Sequence, residues 1–209
     1  MKHEIEYRGK DLIAKLAKTK VVVCGAGALG SNLIDSLARV GFTQLKVIDF
    51  DRVEGHNINN QVYDLGDVGN LKVTALQRKV YASTKVKLEA ENKKLEATNV
   101  VKLLKDYDIV VDCFDNSASR KIVTQYCLKS KTQCIHSGLV DDYGEVVWNE
   151  NYNVPQEVNT EAVCDYPLAR NLVAIVTAMT CEEIINYIAG KPKKNLAFSL
   201  LGMKVFNVA

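Results

Sequence analysis

One stretch constrains this chain more than any other: Val21 to Asp51, VVVCGAGALGSNLIDSLARVGFTQLKVIDFD. Three successive β-branched residues, Val21 to Val23, read as a strand buried on both faces. Gly25, Gly27 and Gly30 follow in G-x-G-x-x-G spacing. The period then becomes helical from Ser31 to Val40, with Leu29, Leu33, Leu37 and Val40 sharing a face. A second apolar run, Leu45 to Ile48, ends at Asp49, 19 positions beyond Gly30. Strand, glycine turn, helix, strand and acid is the order of a nucleotide-binding crevice. The glycines let backbone amides and the helix dipole approach a phosphate, and Asp49 is placed to accept hydrogen bonds from a ribose. The same pattern with nothing bound is a closely packed strand–helix turn.

The rest of the chain continues the alternation. Helices are predicted over 10–18, 71–82, 98–104, 117–129 and 168–188. Strands are predicted over 85–90, 108–114 and 133–136, as a pair around a turn at Asp141 to Gly144, and over 196–206. A long loop rich in Asp, Asn and Gly spans 50–70, a length that argues for a role, and 151–167 reads as irregular. The fold class is therefore α/β, a mostly parallel sheet with helices on both faces and antiparallel strands toward the C-terminus, in a single domain over 1–209.

Composition removes several function classes. A formal net charge of +2, with no basic run interleaved with aromatics, leaves no nucleic-acid footprint. His3, His56 and His136 are too scattered for a metal triad. The six cysteines contain no C-x-x-C and read as reduced thiols in a cytoplasmic protein. The charged N-terminus lacks a signal core, and the apolar run 168–188 is broken by Arg170, Glu182 and Glu183, so no membrane span is expected.

Ligands of open α/β sheets bind beyond the carboxyl ends of the strands. Those ends carry the glycine turn, residues 49–61 (DFDRVEGHNINNQ) and residues 112–120 (DCFDNSASR). Asp115, just past a buried strand, suits a Mg²⁺ bridging phosphate and protein; alternatively it caps helix 117–129. Asn116 adds a polar group beside it. Lys72 and Arg120 are the nearest cations for phosphate oxygens, or else solvated helix charges. No P-loop sequence G-x-x-x-x-G-K-[ST] is present.

GAGALG, IDFD, N-x-N-x-Q, VGNLK and DCFDN with Arg120 together resemble the ThiF/MoeB/HesA family, bacterial relatives of the ubiquitin-activating enzymes, from about Lys10 to Gly190. The resemblance implies a Rossmann-like sheet, a homodimer, and Mg-ATP-dependent adenylation of a carboxylate. The expected partner is a ubiquitin-like or sulfur-carrier protein ending in Gly-Gly. Gly25, Gly27 and Gly30 would then surround the phosphates, and Asp49, with Asp51 of the same IDFD motif, the ribose side. Asn57 and Lys72 would assist the phosphates, and Asp115 would hold Mg²⁺.

The chain departs from that family at two points. The arginine of the family's N-L-x-R-Q is Asn60 here, with Arg52 as a nearby substitute, and the paired C-x-x-C motifs of a structural zinc are missing, so no zinc is expected. Arg8 resembles an arginine that some members extend into the neighbouring subunit's site. Cys164, in the irregular loop before the last helix, is either the acyl-accepting thiol of such enzymes or an inert cysteine. The helix over 168–188, apolar around most of its circumference, adds to the expectation of a dimer. Two other functions fit parts of the pattern: a non-catalytic nucleotide-binding partner, which Asn60 favours, and an NAD-dependent oxidoreductase.

Overall fold

The computed structural model describes residues 1–156 and 168–208. One eight-stranded sheet organises them, in the order β3-β2-β1-β4-β5-β6-β7-β8. The parallel half comprises β1 (Lys20–Cys24), β2 (Gln44–Ile48), β3 (Glu89–Glu91), β4 (Ile109–Asp112) and β5 (Gln133–Val140). The antiparallel half continues from β5 through β6 (Tyr143–Trp148), β7 (Leu196–Ser199) and β8 (Lys204–Asn207). The mixed α/β architecture read from the sequence is thus the architecture found.

The pleat of β1 explains the two helix layers, because successive side chains leave a strand on opposite faces. Val21 and Val23 join one core with Ile13, Leu33, Leu76 and Val173. These come from α2 (Lys10–Lys18), α3 (Ala28–Val40), α4 (Lys72–Thr84) and α7 (Arg170–Ile188). Val22 and Cys24 join the other with Leu103, Leu104, Val123 and Cys127, from α5 (Val100–Leu104) and α6 (Ser117–Ser130). A short α1 (Lys2–Arg8) precedes these, in a segment for which no helix is predicted.

Several expected elements differ. The strand expected over 85–90 shrinks to Glu89–Glu91, since Lys85 closes α4 in the left-handed conformation at φ 65° and extended pairing cannot start there. The helix expected over 98–104 begins at Val100, and Asn99 before it accepts the Glu96 N–H through Oδ1 at 2.9 Å. The strand expected over 196–206 is a hairpin, β7 and β8, whose turn holds Met203 at φ 45°. The breadth of α7's apolar surface also has an internal cause. It packs on α3 and lies across β5, β6 and β7, burying Leu172, Val173, Val176, Ile184 and Ile185, so its apolarity does not by itself call for a second copy. No helix among the described residues is long and apolar enough to cross a membrane.

Candidate functional site

The site begins at the end of β1. Gly25 adopts φ 97°, a region that excludes most side chains, and a Cβ on Gly30 would lie 1.9 Å from the Gly25 carbonyl oxygen. These two glycines let the chain reverse and α3 pack against the strand. Gly27 differs: nothing lies within 4 Å of where its Cβ would be, so its bare backbone opens onto free space. It is also the N-terminal boundary of α3, which has no side-chain cap and no acid in its first turn. The first intrahelical bond runs from the Ser31 N–H to the Gly27 carbonyl at 3.0 Å. The amides of Ala28, Leu29 and Gly30 therefore have no partner within the helix and face outward with the positive end of its dipole.

Asp49 is buried behind this turn. Its Oδ2 accepts the Ala26 N–H and its Oδ1 the Asp51 N–H, both at 2.7 Å. Burial raises its carboxyl above the ordinary range, against these two amide bonds and the charge of Lys72, which pull it down. Tyr63 braces the turn from behind, donating its hydroxyl to the Ala26 carbonyl at 2.8 Å. Asp51 is half exposed and pairs with Lys72 Nζ at 3.3 Å. Lys72 is buried at the first position of α4, not solvated on a helix face. Its own N–H reaches the Asp51 carbonyl at 2.9 Å, so the β2 end and the start of α4 form one unit.

The loop carrying Asn57 and Asn60 folds over the same end. Asn57 is buried in a 3₁₀ turn, Gly55–Asn59, where its Oδ1 accepts the Glu54 N–H at 2.9 Å; that oxygen fixes the loop. Asn60 follows the turn, and its carbonyl accepts from Asn32 Nδ2 at 2.9 Å and Arg170 Nη1 at 3.2 Å. Arg52 points elsewhere, donating to the Gly69 carbonyl at 2.8 Å.

On the far side of β1, β4 ends at Asp112, and the turn Cys113–Asn116 abuts Gly25, whose Cβ would sit 3.0 Å from the Cys113 carbonyl oxygen. The cap of α6 is Asn116, whose Oδ1 accepts the Ser119 N–H at 2.9 Å. Asp115 is therefore not the cap. It is exposed beside the glycine turn, with a 3.3 Å contact to Asn116 Nδ2.

Arg120 stands apart from the expectation of a phosphate cation or a solvated charge. It is buried beneath the turn, donating to the Tyr152 hydroxyl and the Ser137 carbonyl at 2.9 Å each, 3.7 Å from Asp112 Oδ2. Asp112 also meets His136 Nδ1 at 2.8 Å and accepts the Phe114 N–H at 3.0 Å. Burial alone would raise the Asp112 carboxyl, but Arg120 and the His136 hydrogen bond hold it below the usual carboxylate range. His136 completes the network, with Nε2 2.6 Å from Asn149 Oδ1 and its ring stacked on Tyr152 at 3.7 Å. Arg120 is thus a strut under Asp115.

Two further expectations meet the structure unevenly. Cys164 lies outside the described residues. Arg8 is held by its own chain, donating to Glu4 at 2.6 Å and to Glu182 of α7 at 3.1 Å. A surface hollow of about 560 Å³ lies beside it, lined by residues 8–12, Lys15 and Ala189 and away from the glycine turn. Of the residues around the crevice, Tyr63, Asn32 and Arg170 carry no signal in the sequence. The aromatic at 63 belongs to no motif, and Arg170 is 110 positions from Asn60.

For a divalent cation, the described residues hold no cluster of three or more His, Cys, Asp or Glu side chains. Mg²⁺ held by one carboxylate, phosphate oxygens and water needs no such cluster, and the exposed Asp115 suits that mode.

A model of the ThiF family matches residues 2–209. A probable molybdopterin-synthase adenylyltransferase of Porphyra purpurea is 25% identical over 201 residues, covering 90% of this chain and 52% of that protein. A sulfur carrier protein adenylyltransferase of Thermus thermophilus is 37% identical over 111 residues, covering 52% of this chain and 41% of that protein. The chain thus spans about half the length of these relatives. Escherichia coli MccB, crystallised with MccA-N7isoASN, superposes with a TM-score of 0.84 at 19% identity, covering 99% of this chain and 69% of that one.

Proposed function

Because the chain belongs to the ThiF family, we propose that it is an ATP-dependent adenylyltransferase. The carboxylate it activates is the C-terminal glycine of a ubiquitin-like or sulfur-carrier protein. The observation that carries this reading is the juxtaposition of the uncapped start of α3, open over Gly27, with the exposed carboxylate of Asp115. Amides at a helix start receive phosphates, while a carboxylate beside a polyphosphate repels it unless a divalent cation lies between.

In this reading the carrier carboxylate attacks the α-phosphorus. One carboxylate oxygen–phosphorus bond forms as the bond to pyrophosphate breaks, leaving an acyl adenylate. The α3 amides hold phosphate oxygens in place, Asp49 accepts from ribose hydroxyls, and Lys72 contributes positive charge beside Asp51. Asp115 would hold Mg²⁺, which when bound would supply charge neutralisation at the phosphates. Arg120, Asp112 and His136 keep the Asp115 turn rigid, and rigid placement is what positioning catalysis requires. Two copies are proposed to pair; light scattering should give about twice the 23.2 kDa chain mass, and a single-chain mass at micromolar concentration would remove the dimer.

Asn60 sustains a second reading, a nucleotide-binding partner without catalysis. Calorimetry separates both from an oxidoreductase: ATP with Mg²⁺ should bind more tightly than NAD. Tight NAD binding without ATP binding would end both nucleotide-triphosphate readings.

A further inference from the structure

Arg170 opens α7, a 19-residue helix with no side-chain cap and no acid in its first turn. This is an unfavourable place for a cation, because the helix start already carries the positive end of the dipole. The residue is exposed, yet its guanidinium is tied down at the surface. It leans onto the crevice, donating through Nη1 to Asn32 Oδ1 at 2.8 Å and to the Asn60 carbonyl at 3.2 Å. Asn32 is one turn into α3 and is itself fixed, its Nδ2 donating to the Ala28 carbonyl at 2.7 Å and the Asn60 carbonyl at 2.9 Å. The two contacts thus seat Arg170 between the first turns of α3 and the loop that closes over them.

Among the described residues, three other cations near this end of the sheet have partners of their own. Lys72 pairs with Asp51, Arg52 serves the Gly69 carbonyl, and Arg120 is buried under the Asp115 turn. Both acceptors holding Arg170 are neutral, so its charge is not cancelled by the side chains that position it. A guanidinium held by two neutral acceptors beside the outward-facing amides of an uncapped helix is an arrangement that attracts an anion.

We propose that Arg170 is a nucleotide-binding residue: the guanidinium that contacts the polyphosphate of ATP from the flank of α3, delivered by α7 to the place where the loop itself offers only the amide of Asn60. This rests on the adenylation reading for the identity of the anion. It assigns to α7 a part in the site in addition to its packing on the sheet. Asn32 is then a positioning residue, acting through Arg170.

The test is calorimetric titration of the full chain with Mg-ATP, AMP and adenosine, for the wild type, Arg170→Gln, Arg170→Lys and Arg170→Gln combined with Asn60→Arg. Loss of a charge-assisted contact corresponds to roughly tenfold or more in affinity. Arg170→Gln should weaken ATP by about that factor while leaving adenosine unchanged and AMP less affected. Arg170→Lys should keep more of the preference for ATP over adenosine, and the added Asn60→Arg should restore it. Circular dichroism melting checks that each variant is folded. An ATP-to-adenosine preference in folded Arg170→Gln equal to that of the wild type would overturn the proposal and leave Arg170 a tether between α7 and α3. Parallel weakening of ATP and adenosine would overturn it in the same way. Failure of the wild type to bind ATP at all would overturn both this inference and the adenylation reading, so the two failures are distinguishable.

Discussion

Asp49 and Asp112 stand at the same end of the sheet on either side of β1, one just past β2 and the other closing β4, and both are buried. Their environments are opposite. Asp112 faces Arg120 and His136, and its carboxyl is held below the ordinary range. Asp49 takes two backbone amides, and burial raises its carboxyl. A buried carboxylate balanced by a buried guanidinium and a side-chain hydrogen bond is a component of the scaffold. One left short of compensation is a cost to folding that a ligand's hydroxyls can repay. The two aspartates divide the work: β4 builds a rigid base for the Asp115 turn, and β2 presents a carboxylate to the crevice.

That division can be broken by substitution. Asp112→Asn leaves two buried basic side chains without their carboxylate, a defect of about 3–5 kcal/mol, and should lower the melting temperature by roughly 10 °C in scanning calorimetry. Asp115→Ala should do the reverse. Its melting temperature should stay within about 2 °C of the wild type, since exposed substitutions change stability by about 0.5 kcal/mol or less, while metal-dependent turnover falls by about 100-fold or more. Retained turnover would make Asp115 an ornament of the turn. Asp49→Asn should fall between these in stability, costing about 1–2 kcal/mol because its new NH₂ meets a backbone N–H, and should weaken nucleotide binding about tenfold. A stability loss equal to that of Asp112→Asn would erase the distinction between the two sites.

The smallest effect is the pH dependence of those stability differences, and the signs are opposed. Asp112 has a depressed folded value, so its contribution is present above the unfolded value near 4 and is lost as pH falls through the folded one. The gap between wild type and Asp112→Asn should close on acidification. Asp49 has a raised folded value, so its charge costs stability at neutral pH and that cost is relieved as pH falls through the folded value. The wild type should gain on Asp49→Asn over the same descent. Urea titrations from pH 7 to pH 3 measure both slopes, and slopes of the same sign would contradict the assignment.

What the sequence revealed follows from how local the cause is. The span from Val21 to Asp49 was legible because each step, apolar run, glycine spacing and helical period, depends on neighbours within a few residues. Features decided by distant partners were not. Lys72 and Arg120 read equally as solvated charges until Asp51 in one case and Asp112, Ser137 and Tyr152 in the other close around them. The apolar girth of α7 suggested a second copy because the sequence does not show that α3 and three strands already cover it. At Lys85 and Met203 a positive φ ended or split an expected strand, and neither lysine nor methionine announces that conformation as glycine does. Asn116 and Asp115 compete for the same cap, and only the geometry awards it to Asn116.

The proposed reaction is adenylation of a carrier's C-terminal carboxylate in the crevice between the glycine turn and Asp115. ATP–pyrophosphate exchange tests it most directly, run with the full chain, Mg²⁺ and candidate carrier proteins ending in Gly-Gly. Adenylation predicts exchange that requires the carrier's terminal glycine and is lost in Asp115→Ala. ATP binding without exchange for any such carrier would contradict it and leave a nucleotide-binding partner in its place.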